Sequence, residues 1–581
     1  MTRNDPTIPY VLLLLLLLAL GTGHGLAAED PECLPRKPDS SRIAAFCTLE
    51  VVGKGRNTTG LDHVQLHCNT TSGDLMPVGI ASAAKNSPLA DFAATVRQQL
   101  EQHGSGITIV QPDCQQQAET PAVTDNQVPL YGLLYFCEGS ITLVNPMVRD
   151  LYLPYTLRSR VQDDTAPVVV GGTARVSVVG ARAERADAST VFAVVQDAEL
   201  SIMHSAFNDL AGNPGSAVYA RERSAVRIIS SNFTNSSSTD VGGALAIMGC
   251  CNATVHDSLF FNCSADESGG GLYAIEQASL VVSNTAILNN SAAFQGGGIF
   301  CLGRYLGLFN GTKVVYNSAG GSGGGLHMSA QQGRLVLSPD TVVSRNKALG
   351  SDRSGPAAGG GAFVGYQTKF DASVMRAVVH NNLARRDANV GTVPDKLLVL
   401  TSDVLGYVAR PDQLDGGLRV EVRLLGEGGF ACEGRNIRAY WDSADDGGGG
   451  GGGGGCGDGT AAEAQQPYLS GPPKQLTATN ASGVAVMQLR FQEPPGVHKV
   501  TFMVEGLPFP CASMQVQVRK CWKGEQEERP GVCRVCPKGR YNFEPGLCAE
   551  CPPHARCPGG SAVLPKPGFW LSSPQHNVTR M

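Results

Sequence analysis

Four cysteines near the end of this 581-residue chain are spaced for chemistry. Cys533, Cys536, Cys548 and Cys551 read Cys-x2-Cys, eleven residues, Cys-x2-Cys, a spacing at which four thiolates suit a zinc tetrahedron. Asp163 and Asp164 follow Gln162 as an acid pair of the kind that protonates a glycosidic oxygen and activates water. His63 and His67 lie four apart beside Cys68, which is metal-ligand spacing on a helix.

None of these sets is complete. The aspartates lack the further Asp, His, Arg and Lys that a hydrolytic site gathers on one strand face, so they read as a solvated turn. Val64, Leu66 and Asn69 favour a strand around the histidines, where residues four apart stand too far apart to chelate. His204, His256, His327 and His380 share no repeat phase and are expected to form no ladder. Cys301 falls in phase with Ile247 and Ala274 and reads as a small buried hydrophobe. The glycine triplets recur structurally and open no helix, so they make no phosphate loop. The chain thus reads as a non-enzyme with no cofactor and no metal.

The compartment decides between thiolate and disulfide. Arg3, the apolar stretch Val11 to Leu20 and the small residues Ala27 and Ala28 read as an export signal over residues 1–28, too short for the about 20 residues of a membrane span. Behind such a signal, Cys521, Cys533, Cys536, Cys548, Cys551 and Cys557 are disulfide candidates. Asn57, Asn69, Asn232, Asn235, Asn252, Asn310, Asn480 and Asn577 open Asn-x-Ser/Thr sequons and are glycosylation candidates. Asn262 and Asn289 also open sequons, but an asparagine ladder would bury them too deeply for a glycan. A net charge of -5 without a basic run excludes nucleic acid and anionic membrane surfaces as evident partners. No later segment is long and apolar enough for a membrane helix.

The elements that must position these residues come from a repeat. Val191, Val218, Leu245, Leu272, Ile299 and Leu326 are each 27 apart. Small residues precede five of them, with triplets starting at Gly242, Gly269, Gly296 and Gly323. Asparagines keep the interval at Asn208, Asn235, Asn262 and Asn289 and continue at Asn317 and Asn346. A unit of this length cannot bury its apolar face alone, so units must stack. Short β-prone runs between turns leave room for three strands per coil, and the stack reads as a right-handed parallel β-helix. Its Gly, Asn and aliphatic residues are expected to form files. After Leu326 the interval to Ala362 stretches to 36, so the loop holding Ser351, Asp352 and Arg353 is expected to bulge outward.

Around the array the fold class is all-β. Residues 29–150 are a cysteine-containing cap with Cys33, Cys47, Cys68, Cys114 and Cys137 and one helix, capped by Ser87 and lined by Leu89, Phe92, Val96 and Leu100. The β-helix covers residues 151–394, and strands over 395–520 suit an immunoglobulin-like β-sandwich. Nine glycines, Gly447 to Gly455, interrupt it as a loop, and Cys432 and Cys456 could bridge its base. A cysteine-rich module fills 521–571, followed by a tail over 572–581.

Gly-Gly-Ala-Leu at Gly242 to Leu245, its Gly-Gly-Gly variants, and the Phe/Asn elements Phe233 to Asn235 and Phe261 to Asn262 resemble the repeats of chlamydial polymorphic outer-membrane proteins. Similar repeats occur in large green-algal extracellular proteins. The resemblance implies a β-helical ectodomain used in adhesion, binding extracellular glycan or matrix protein; the sequons and the lack of a recognisable β-barrel depart from the bacterial pattern. Cys536 to Tyr541, Cys551-Pro and Cys557-Pro-Gly-Gly resemble the cysteine-rich modules of ephrin and tumour-necrosis-factor receptors. In similar algal proteins further domains or membrane helices follow, so the gene product is expected to continue past Met581. The alternative function is a polysaccharide-active enzyme of pectin-lyase-like type.

Overall fold

One coil, Leu245 to Gly271, shows how the repeat folds. It holds strands Leu245–Ile247, Asn252–His256, Leu259–Phe261 and Ser264–Ala265. Single left-handed residues, Asp257 (φ 50°), Asn262 (φ 56°) and Gly269 (φ 72°), turn the chain between them. The structure is a computed structural model. It describes residues 44–571 and 578–580, except 55–60, 74, 81–87, 106, 111–129, 152–163, 189, 351–356, 411–416, 442–474, 490–492 and 508–509. The export segment, Cys33, Asn57, Ser87, Cys114, Gln162, Asp163, the loop Ser351 to Arg353, the nine glycines, Cys456, Asn577 and most of the tail lie outside the described residues.

Successive coils pair in parallel: Leu245 with Leu272, Leu272 with Ile299, Ile299 with Leu326, and Leu326 with Ala362 across the long interval. The coils supply a 19-stranded, a 12-stranded and a 7-stranded sheet, with four short strands per coil rather than three. Two sequence expectations are corrected. The solenoid begins one coil earlier than residue 151, because Leu130–Phe136 already pairs in parallel with Asp164–Val170. Val191 is not in the aliphatic file; Phe192 pairs with Val218, since this coil is one residue short of the 27-residue period.

The glycines serve two different needs. Gly242, Gly269, Gly296 and Gly323 hold φ of 64°, 72°, 64° and 73°, where a Cβ is costly. The next glycine is required by proximity: a Cβ on Gly243 would lie 2.0 Å from Gly270 O, and one on Gly270 2.2 Å from Gly297 O. Inside, Phe207, Phe233 and Phe260 stack with centroids 4.8 and 4.7 Å apart, at the rung spacing of about 4.8 Å. Burying each ring stabilises by about 1.5–3 kcal/mol.

Both ends of the stack are built over. Ala44–Gly53 pairs with the first coil and, antiparallel, with Leu61–Thr70, where Cys47 faces Cys68 and bonds to it. The helix Pro88–His103 lays Val96 and Leu100 into the solenoid's own core and ends with Gly104 N–H donating to Leu100 O at 2.8 Å. After the last rung, Val390–Thr392, the chain enters Pro394–Val399 of a second all-β unit. There a three-stranded and a five-stranded sheet enclose one core that includes Val422, Ile437, Met487 and Phe502.

The last unit is three short hairpins tied by Cys521–Cys533, Cys536–Cys548 and Cys551–Cys557. These bonds separate Cys533 from Cys536 and Cys548 from Cys551, so the zinc-like spacing gathers no thiolate tetrahedron. Cys137, Cys250 and Cys511 are also disulfide-bonded. Cys432 is instead a buried free thiol, which corrects the expected bridge to Cys456.

Candidate functional site

The exposed asparagines form a ladder on the turn that closes the 19-stranded sheet. Asn235 Nδ2 donates to Asn208 Oδ1 at 3.2 Å, Asn262 to Asn235 at 2.8 Å, and Asn289 to Asn262 at 3.1 Å. Asn235, Asn262 and Asn289 have φ of 52° to 56°, which asparagine tolerates better than most residues. Asn208 sits one position early: it is the last residue of strand Ala206–Asn208, and Asp209 takes the left-handed turn. Asn262 and Asn289 are exposed, not buried as the sequence had implied.

Asn317 and Asn346 belong to a second ladder, one residue further along and buried except at its half-buried end, Asn382. Asn290, Asn317, Asn346 and Asn382 each offer Oδ1 to the preceding member or its equivalent, as in Asn290 N to Asn317 Oδ1 at 2.9 Å and Asn317 N to Asn346 Oδ1 at 2.8 Å. Their amides also donate to backbone, as Asn317 Nδ2 does to Ile287 O at 2.9 Å. Ser205, Ser231, Ser258 and Thr285 make a parallel file in which each hydroxyl oxygen accepts a backbone N–H from the coil before. Buried polar groups in this interior are thus paired along the axis.

The face of the 12-stranded sheet carries what sequence reading missed. The middle residue of each three-residue strand faces away from the core, and there Tyr273, Phe300, His327 and Phe363 stack with centroids 5.2, 5.1 and 4.8 Å apart. The signal was the residue after each aliphatic ladder position, interrupted by Ala246. Because the rings lie face to face, their faces are occupied by one another and only edges are offered to a ligand. His327 is buried at 4% exposure, and its Nδ1 has no hydrogen-bond partner. Burial lowers its pKa to about 4, against a backbone hydrogen bond at Ser322 that raises it.

Carboxylates border this file. Asp240, at the turn before Gly242, is pushed up to about 6 by burial first and then by the charge of Glu267, with which it shares a hydrogen bond. Tyr273 is raised to about 12, by burial and then by Asp240, Glu267 and Glu276. The surroundings of its hydroxyl are therefore acidic. Two carboxyl groups in hydrogen-bond contact are closer than the about 5–9.5 Å at which glycosidase pairs work.

Other chemistry-bearing residues stay apart. His63 and His67 lie on strand Leu61–Thr70, His63 3.4 Å from Glu50 and His67 against Ser105 Oγ at 2.9 Å. Cys301 is fully buried and its thiol is pushed up to about 12 by burial. Asp164 opens strand Asp164–Val170. Among the described residues no three or more His, Cys, Asp or Glu are close enough to hold a metal ion, and no helix is long and apolar enough to cross a membrane. A groove of about 590 Å³ lies between Gln367, Lys369 and Phe370 of the last coils and Glu427 of the next unit.

A family model described as the right handed beta helix region matches residues 194–374. The solenoid is a right-handed parallel β-helix. No curated protein matches the chain. Right-handed β-helices include pectin-lyase-like enzymes as well as non-enzymes, and the fold is consistent with a surface or polysaccharide-related protein.

Proposed function

We propose that this protein is a secreted or cell-surface β-helical glycoprotein with a structural or adhesive role, and that it binds an extracellular polymer along the 12-stranded sheet. The observation that carries this reading is the file of outward rings from Tyr273 to Phe363, repeated at one height per rung and edged by carboxylates. A regular file suits an extended partner better than one small molecule. Its acidic margin, with Asp240, Glu267 and Glu276, favours a basic or neutral extracellular protein or a neutral glycan over a polyuronate, which like charge would repel. The resemblance of the glycine repeats to adhesive surface proteins, the export signal and the disulfides support the same reading.

The second reading, a polysaccharide-active enzyme, is favoured by the fold alone. Full-length protein immobilised and exposed to panels of neutral and acidic polysaccharides and matrix proteins is expected to retain a neutral or basic partner and to release no unsaturated or reducing ends. Product release from an acidic polysaccharide, or retention that is indifferent to charge reversal at Glu267 and Glu276, defeats the proposal.

A further inference from the structure

The sequon asparagines of the solenoid all lie on one side of it. Asn232 and Asn252 begin outward-facing ends of strands Asn232–Thr234 and Asn252–His256 in the 19-stranded sheet. Asn310 turns the chain between Tyr305–Phe309 and Lys313–Val315 of the same sheet with φ 52°. Asn235, Asn262 and Asn289 close strands of that sheet at the exposed ladder. All six are exposed. Among the described residues no sequon asparagine belongs to the 12-stranded sheet.

The two ladders show why the motif falls where it does. Two residues after Asn235, Asn262 and Asn289 come Ser237, Ser264 and Ser291, which open strands of the 7-stranded sheet and point outward. Two residues after the buried Asn290, Asn317 and Asn346 come Ala292, Ala319 and Ala348, which point into the core. Coil geometry thus places Ser at +2 of the outward asparagine and a small apolar residue at +2 of the inward one. The exposed ladder uses one amide N–H of each donor, as Asn262 Nδ2 to Asn235 Oδ1. A carboxamide has two, so a glycosylated nitrogen still carries one N–H. Beside the sites stand apolar side chains that solvent reaches in whole or part: Phe261, 41% exposed, precedes Asn262, and the half-buried Leu288 and Phe309 precede Asn289 and Asn310. A sugar at each asparagine would cover them.

We infer that the solenoid carries N-glycans on its 19-stranded face alone, so that sugar covers Phe261, Leu288 and Phe309 while the 12-stranded face with Tyr273 and its carboxylates stays bare. This rests on the extracellular reading. The full chain, expressed with its own N-terminus in a eukaryotic secretory host, is mapped by enzymatic glycan release, which converts each occupied Asn to Asp. Occupancy is expected at Asn252, Asn262, Asn289 and Asn310 and within the Asn232–Asn235 segment. Hydroxyl-radical footprinting before and after release is expected to show new oxidation at Phe261 and Phe309 and unchanged oxidation at Tyr273. A secreted chain glycosylated only at Asn69 or Asn480, or equal unmasking of Tyr273, overturns the inference and leaves the extracellular reading intact. A chain that never enters the secretory route overturns both.

Discussion

The side-chain oxygen of Asn317 lies 2.9 Å from both the backbone nitrogen and the amide nitrogen of Asn290, one coil away. A single carboxamide thus satisfies two donors of its neighbour inside the core, while its own amide reaches Ile287 O and Asn346 Oδ1. This asparagine file is the polar spine of the upper coils, and it is the least replaceable part of the interior.

Asn317→Ala is therefore expected to destabilise by about 2–4 kcal/mol, since it strands a buried backbone N–H as well as removing bonds. Asn262→Ala, in the exposed ladder, is expected to cost under about 1 kcal/mol. Urea unfolding of both variants checks the contrast, and equal losses would show that the two ladders are equivalent.

Adjacent glycines separate backbone proximity from tolerance. On Gly270 a Cβ would meet Gly297 O at 2.2 Å and Ser291 O at 2.5 Å, whereas on Gly271 the nearest atom is Gly298 O at 3.0 Å. Ala244 already occupies the position equivalent to Gly271, one coil before. Gly270→Ala is expected to lose the folded solenoid or several kcal/mol, on the order of 3 or more. Gly271→Ala is expected to stay within about 1.5 kcal/mol, measured by thermal unfolding.

His327 gives the stack a pH dependence of known sign. Its pKa falls from 6.5 to about 4 because burial disfavours the charged ring, so between these values the unfolded chain holds the proton more tightly than the native one. Stability from this group is present above about pH 6.5 and is lost as pH falls toward about 4. Asp240, raised to about 6 mainly by burial, works in the opposite sense and is lost as a stabilising group when pH rises through that value. His327→Phe removes the unpartnered Nδ1 and continues the ring file. It is expected to raise stability by about 1–3 kcal/mol, with a larger gain at about pH 4.5 than at about pH 7.5. Melting curves at both pH values decide it.

Three thiols in the solenoid are expected to be silent. Burial pushes Cys251 up to about 11 and Cys263 and Cys301 up to about 12, and the thiolate is the reactive form. Native protein should take up no maleimide at these positions, and unfolded protein should label all three. Labelling of native Cys301 would mark it as accessible.

What the residues announced, and what they hid, follows from period and parity. The glycine file was legible because every member needs the same left-handed backbone, so no other residue substitutes easily. Val191 misleads because the coil joining Phe192 to Val218 is shorter than the coil after it, and spacing alone does not reveal which coil absorbs a deletion. Asn317 reads as a continuation of the Asn208 to Asn289 file because asparagine serves two adjacent files for different reasons, one for its backbone freedom and one for its amide. The aromatic file escaped notice since its members differ in type, and a histidine stands among rings where no shared histidine phase exists. The paired carboxyl groups of Asp240 and Glu267, 27 apart, needed the stacked turns to bring them together.

The closed ends of the solenoid give it a definite reach. At one end the Ala44–Gly53 hairpin lies across the first coil; at the other, Arg376 donates to Gly428 O at 2.6 Å and Glu433 N–H to Asp387 Oδ1 at 2.7 Å, seating the next unit on the final coils. The ten rungs of the 12-stranded sheet from Leu130 to Thr392, at about 4.8 Å each, make a rod of about 45 Å. The molecule is a ruler whose length is set by the number of coils written in the gene.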